Sequence, residues 1–351
     1  MEEVRGPIRL MQNVLAGNPD DGGELLEKFR NGGEANQMAW VGSMFELPSV
    51  TDSGLSKAVL PDGGEAALKD IIQADPQYML GQENLERLGA DHSMLLKILS
   101  PNKQLPLATH PWTERAQECF GFEHGKTECW YVIDVMPQWE GKTYYLGHFK
   151  EGVTKEKFKQ LYRQTDIPAL EALCHKIPIE KGEMVLVKTG VPHALGPGVL
   201  VLELQEPSDA GVRLGTPKPA FNSRDEEKAF EKMEIDTFIF EGVSFDEAAG
   251  RMRIPPELIK QTDQGRETRL IGRKHTKYLT MTRCDVNGSF KPVRPGYCSI
   301  LLVISGSGRI IGDGVELEAA QAEEIFLPAG ISDLRFEGAF SALRCFPPEA
   351  L

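Results

Sequence analysis

Positive charge is scarce in this chain: its 351 residues carry 39 Lys and Arg against 52 Asp and Glu, a formal net charge of −13. That balance excludes nucleic acid or an anionic membrane as the expected main partner, since both demand a basic surface. Long apolar runs are missing as well, and none approaches the ~20 residues of a spanning helix. The opening MEEVRGPIRL is acidic and polar where an export signal would be basic and then apolar. Cysteine is sparse. Cys119, Cys129, Cys174, Cys284, Cys298 and Cys345 form no CxxC pair and are far too few for a disulfide scaffold. These absences predict a cytoplasmic protein with reduced, mostly buried thiols and no nucleic-acid or membrane partner.

What remains is an ordinary globular composition, 41% hydrophobic and 26% charged. The length suggests two domains, each large enough to bury a core. An acidic chain that binds an anionic substrate must gather positive charge locally, so a few Lys and Arg residues should stand near the chemistry.

The first hundred residues are mixed. Met38 to Phe45 reads as a buried strand, and Asp62 to Gly89 has helical spacing with Gly and Pro interruptions. From Met94 onward short β-rich runs alternate with turn residues: MLLKIL, ECWYVIDV, TYYLGHF, EMVLVKTG, GVLVLELQE. A charged helical stretch, Thr154 to Cys174, interrupts them, with Thr154 as N-cap and Pro168 as breaker. Residues 219–234 turn polar and read as a connector, after which β runs resume with DTFIFEG. Short strands at regular intervals predict a sandwich or barrel.

An internal repeat sorts the halves. Lys181 to Gly198 reads KGEMVLVKTGVPHALGPG, and Gln321 to Gly338 reads QAEEIFLPAGISDLRFEG, of equal length. Gly190 falls on Gly330 and Gly198 on Gly338, where tight turns would need positive φ. His193 falls on Asp333. The two segments therefore differ chemically at that position, an imidazole in one and a carboxylate in the other.

The Gly182-x5-Lys188-x-Gly190-x2-His193 pattern resembles the second motif of the cupin superfamily, in which that His is a metal ligand. Read by itself, it fits a hydrogen-bonded core histidine equally well. Leu95 to Pro111 (LLKILSPNKQLPLATHP), Gly125 to Val132 (GKTECWYV) and Ser208 to Lys218 (SDAGVRLGTPK) add three further motifs in order. Together the four resemble the type I mannose-6-phosphate isomerase family. The resemblance implies a mainly β fold of two cupin (jelly-roll) domains with helical insertions: 1–220, catalytic and metal-binding, and 221–351, a cupin lacking metal ligands. It further implies a metal-dependent aldose–ketose isomerase acting through a cis-enediol, a sugar phosphate as partner, and a monomer or homodimer.

Carried over residue by residue, the metal ligands become His110, Glu128 and His193, with Zn2+ as the metal and Mn, Fe or Co as possible substitutes. The family's glutamine ligand, two residues before His110, is Ala108 here, and a serine of some members is Pro106. Three protein ligands plus water still make a catalytic zinc site. Glu203 matches the family's proposed base, with a role as a partner orienting a ligand equally open. Lys97, costly in an apolar run unless paired or functional, and Lys126, two residues from Glu128 and so on the same strand face, read as active-site cations. Arg213 matches the family's active-site arginine and Lys218 a lysine of its phosphate site, with a plain surface or salt-bridge role the alternative for each of the four. Asp209 is expected to pair with one of these. Ala108 and Pro106 leave open a different sugar substrate, or a sugar-binding cupin without activity. His124, His92, His148, His175 and His275 have no ligand-like spacing and read as structural or exposed.

Overall fold

The computed structural model describes residues 4–13, 21–32, 36–45, 54–60 and 63–351. The chain divides into two compact units. One gathers Met1–Ser100, Leu202–Gln205 and Pro255–Leu351; the other holds Pro101–Val201 and Glu206–Ile254. These units follow contact, whereas the division expected after residue 220 follows the sequence repeat. Both are built mainly of antiparallel strands, as the short β runs predict.

In the first unit, long strands Thr280–Phe290, Ser299–Gly312 and Arg335–Phe346 form the middle of an eight-stranded sheet. Their inward residues, among them Val286, Phe290, Leu301, Val303 and Phe336, make one apolar core with Ile325 of the strand Glu324–Leu327. The sheet is crossed closely at Gly338, which pairs with Gly308. A Cβ on Gly338 would stand 2.5 Å from the Gly308 Cα, so neither strand tolerates a side chain there. Fully buried in this unit is an ion pair, Arg344 to Glu267 at 3.2 Å. The pair is further bonded by Thr282, the Val293 N–H and carbonyl, and Ser299. The strand expected at Met38 to Phe45 forms over Met38–Val41 and pairs with Leu95–Leu99.

Asp62, which opens the helical stretch, lies outside the described residues. The rest of that stretch begins with the strand Glu65–Ala67 and continues as helices Leu68–Ala74, Pro76–Leu80 and Gln82–Leu88. Asp75 caps the helix that starts at Pro76, accepting from the Tyr78 N–H at 3.2 Å.

In the second unit, strands Val212–Arg213, Ala108–Thr109, His193–Leu195, Tyr144–Lys150 and Gly242–Val243 lie side by side in that order, with Cys174–Pro178 also on Tyr144–Lys150. Met184–Val187 pairs antiparallel with Glu128–Val135. Phe149, Phe158, Leu170, Ile235 and Phe238 form much of its core.

Three local readings need correction. Thr154 does cap a helix, accepting from the Lys157 N–H, but that helix ends at Gln164 with Thr165 left-handed. Pro168 stands in the first turn of a new helix, Ile167–Glu171, where its missing N–H has no partner to lose, and Cys174 opens a strand. The polar connector is largely a helix, Arg224–Asp236, capped by Ser223, whose charged face is solvated while Ile235 is buried. Of the DTFIFEG run only Gly242, with Val243, is strand.

The repeat holds in outline. Strands Met184–Val187 and Glu324–Leu327 are each followed by a turn closed by the N–H of Val191 and of Ile331. Positive φ occurs at Gly190, Gly198 and Gly338 but not at Gly330. Glycine is needed at 330 for another reason, since a Cβ would stand 2.3 Å from the Tyr78 ring. Asp333 precedes its strand, and its carboxylate accepts from the Asp313 N–H at 2.8 Å. Among the described residues, no helix is long and apolar enough to cross a membrane.

Glu267→Ala would strand the buried Arg344 charge. The expected cost is about 3–5 kcal/mol of stability, read from urea unfolding, with bound metal per chain unchanged.

Candidate metal centre

Strand register puts the ligands together. His193 pairs with Ala108 on one side and Gly147 on the other, and Arg213 pairs with Ala108 across its far edge. Residues opposite one another on paired strands share a face, so Ala108 lies between His193 and Arg213, two residues before His110. Glu128 opens its strand opposite Val187. The Gly190 N–H donates to the His110 carbonyl at 2.8 Å, tying the two ligand turns to each other.

The side chains of His110, Glu128 and His193 are all buried, and their candidate ligand atoms lie within 4.8 Å of one another. Glu128 Oε2 is 3.1 Å from His110 Nε2, and Oε1 is 3.4 Å from His193 Nε2. Donors bonded at about 2.0–2.2 Å to one tetrahedral ion stand roughly 3.3–3.6 Å apart, so this spacing is close to that of a ligand shell. Lys126 Nζ stands 2.9 Å from Glu128 Oε2 and 3.0 Å from His110 Nε2. Despite these approaches, Oε2 has no well-aligned hydrogen-bond donor among the described residues. A buried carboxylate oxygen without a donor suits a cation.

The imidazoles are set for coordination. His110 Nδ1 lies 3.0 Å from the Ala210 carbonyl, and His193 Nδ1 lies 2.9 Å from that of Val191. A carbonyl can only accept, so each ring carries its proton on Nδ1 and turns the Nε2 lone pair toward Glu128. Burial, joined by the Lys126 charge, lowers His110 to about 3, and burial lowers His193. Burial works to raise Glu128, but Lys126, His110 and His193 together outweigh it and hold the carboxyl well below its usual range. All three are therefore in the protonation state a divalent metal requires.

The other expected residues fall in separate places. Lys97 and Glu203 are buried together in the first unit, 3.7 Å apart. Arg213 is exposed and pairs with Asp209 at 3.2 Å. Lys218 Nζ is 2.5 Å from the Tyr162 hydroxyl, which in turn bonds Glu234. These groups line a cavity of about 230 Å³ together with Arg213. Of the other histidines, His92 and His175 are buried and bonded to the carbonyls of Gly42 and Val243.

Some participants escaped the sequence. The Ala210 and Val191 carbonyls carry no residue-type signal. Gly211 does: a Cβ there would stand 2.7 Å from His110 Nδ1. Trp130, two residues beyond Glu128 on its strand, meets the His193 ring edge-on at 5.8 Å. Tyr162 and Glu234 sit in segments read as an inserted helix and a connector.

Comparison with known proteins agrees. No family model matches the chain. A Bacillus subtilis (strain 168) protein named "Probable mannose-6-phosphate isomerase GmuF" is 30% identical over 250 residues, 70% of this chain and 72% of that protein. The chain belongs to the mannose-6-phosphate isomerase family. A mannose-6-phosphate isomerase of Streptococcus mutans is 27% identical over 299 residues, 84% of this chain and 88% of the relative. A solved structure of a zinc-bound mannose 6-phosphate isomerase shares the fold, with TM-score 0.75 and 15% identity over 98% of this chain and 100% of that one. The family resemblance read from the motifs is thus borne out, and so is the mainly β fold.

Two expectations follow from the geometry. The folded-state pKa of His110 is depressed to about 3, so unfolding takes up a proton once pH falls below the ordinary 6.5. Metal-free protein should lose stability from about pH 6.5 downward, by up to about 1.4 kcal/mol per pH unit from His110, with His193 adding in the same sense. Urea midpoints at pH 7 and pH 5 check this. Ala108→Gln, beside His193, should add an oxygen ligand and tighten metal binding, as read by competition with a chromogenic chelator. Weaker binding with the fold intact would show that position 108 does not face the metal.

Proposed function

We propose that the chain is a metal-dependent aldose–ketose isomerase that interconverts mannose 6-phosphate and fructose 6-phosphate. The observation that carries this is the buried His110, Glu128 and His193 set with Lys126 against it, in a chain of this family. Two His and one Glu suit zinc with an open position, and water in place of a side chain at Ala108 admits Mn, Fe or Co. A zinc ion is named in the related holo structure. When bound, the cation would polarise the oxygens on C1 and C2 and favour the enediolate.

The chain's own residues then have distinct tasks. Lys126 supplies a second positive charge toward a developing oxyanion. Glu203 is assigned as the base that moves the proton between C1 and C2, with the Lys97 ammonium 3.7 Å from its carboxylate. Arg213 suits a bidentate grip on phosphate, and Lys218 and Asp209 complete substrate binding. We assign the chemistry to residues 1–220 and a structural role to 221–351, although Glu234 of the latter belongs to the surroundings of Lys218.

The replacement of a polar side chain by Ala108, and the exposed Pro106, favour a second reading in which another sugar or sugar phosphate is the substrate. A binding protein without activity has little use for four buried charged side chains, Lys97, Lys126, Glu128 and Glu203.

A coupled assay on mannose 6-phosphate should show turnover abolished by chelator and restored by added metal. Lys126→Met should lower kcat by about a hundredfold or more. Turnover indifferent to chelator would overturn the proposal, and His193→Ala should reduce bound metal to near zero by elemental analysis.

A further inference from the structure

The strand Met184–Val187 runs into a turn, Lys188 to Val191, that delivers His193, and this turn also borders a second cavity. Leu186 lies on the opposite strand face from Val187, the register partner of Glu128. With Lys188 and Val191 it lines a space of about 340 Å³, within the range of small-molecule sites. His110, Lys126, Glu128, His193 and Arg213 take no part in that lining.

Its walls combine apolar Leu186, Val191, Ile239 and Met252 with polar Thr189 and the charged pair Glu241 and Arg251. Ile239 remains 47% exposed, a large apolar side chain left uncovered at the mouth. Two polar groups facing this space are unspent. The Lys188 ammonium makes no ion pair or hydrogen bond among the described residues. Arg251, by contrast, is already held by Glu241 at 2.8 and 3.0 Å and by Glu247 at 2.6 Å.

The second is His148, only 8% exposed, whose ring has no hydrogen-bond partner among the described residues. It sits where the pairing of Tyr144–Lys150 with Cys174–Pro178 slips, between Gly147 and Phe149, at φ +51. Such bulges re-aim a side chain at some conformational cost. Burial, with Arg251 nearby, lowers the imidazole to about 4, so near neutral pH it offers one N–H and one lone pair.

We propose that this cavity is a ligand site separate from the metal centre, taking a small organic anion with an apolar body. The anionic head, carboxylate or phosphate monoester, meets Lys188 and the His148 N–H, and the body packs on Leu186, Val191 and Met252. The site touches the turn whose Val191 carbonyl accepts from His193 Nδ1, so its occupant rests against the backbone that orients that ring.

Titrating hexanoate and butyl phosphate separately into the full-length protein, with the histidine rings observed by NMR, tests this. The His148 signal is the one missing from His148→Asn, a residue that tolerates the left-handed backbone. It should shift saturably with at least one probe, and the tighter probe names the head group. Lys188→Met should weaken binding at least tenfold, while Arg213→Met leaves it unchanged. No saturable shift by ~10 mM of either probe, ten times a millimolar dissociation constant, overturns the proposal. So does a shift that survives Lys188→Met but disappears in Arg213→Met.

Discussion

Burying a carboxylate beside two imidazoles costs several kcal/mol of lost hydration unless positive charge stays with it, and in this chain Lys126 is that charge. It stands 2.9 Å from Glu128 and 3.0 Å from His110, so Glu128 remains ionised and the rings remain neutral. The rest of the centre is arranged around this contact. Two backbone carbonyls hold the Nδ1 protons, and the pairing of His193 with Ala108 brings Arg213 onto the same face.

The chain meets the problem of buried charge differently at two places. Around Glu128, cation and imidazoles leave one carboxylate oxygen without an aligned donor among the described residues, an arrangement left open to a further cation. Around Glu267, both oxygens are taken up by Arg344, Thr282 and the Val293 N–H. Such closed satisfaction has structural value and no room for a ligand. Asp333, which the sequence repeat sets against His193, turns to a backbone N–H before its strand begins.

Much of the fold was legible where local pattern and tertiary demand agree. The runs ECWYVIDV and TYYLGHF became strands nearly as bounded, since their β-branched and aromatic residues fit a buried pleated surface. Agreement failed where a short signal had two readings. Pro168 reads as a breaker in a charged stretch, yet Thr165 had already ended the helix and Pro168 begins another. The polar 219–234 segment reads as a connector, but its Ser223 cap and one buried face make a helix. Gly330 shows that a repeated glycine can serve contact in one half and backbone conformation in the other.

For the site, the sequence by itself carried the motifs whose resemblance to the mannose-6-phosphate isomerase family implies His110, Glu128 and His193 as metal ligands. It likewise determined that Ala108 contributes no donor. Only the tertiary structure decided the protonation of those ligands, since that depends on burial, on Lys126 and on the carbonyls of Ala210 and Val191, which any residue type could supply. It also decided what surrounds Lys218, drawing Tyr162 and Glu234 from helices distant in sequence. Ligand identity is a local property of the chain, whereas charge state and neighbourhood are properties of packing.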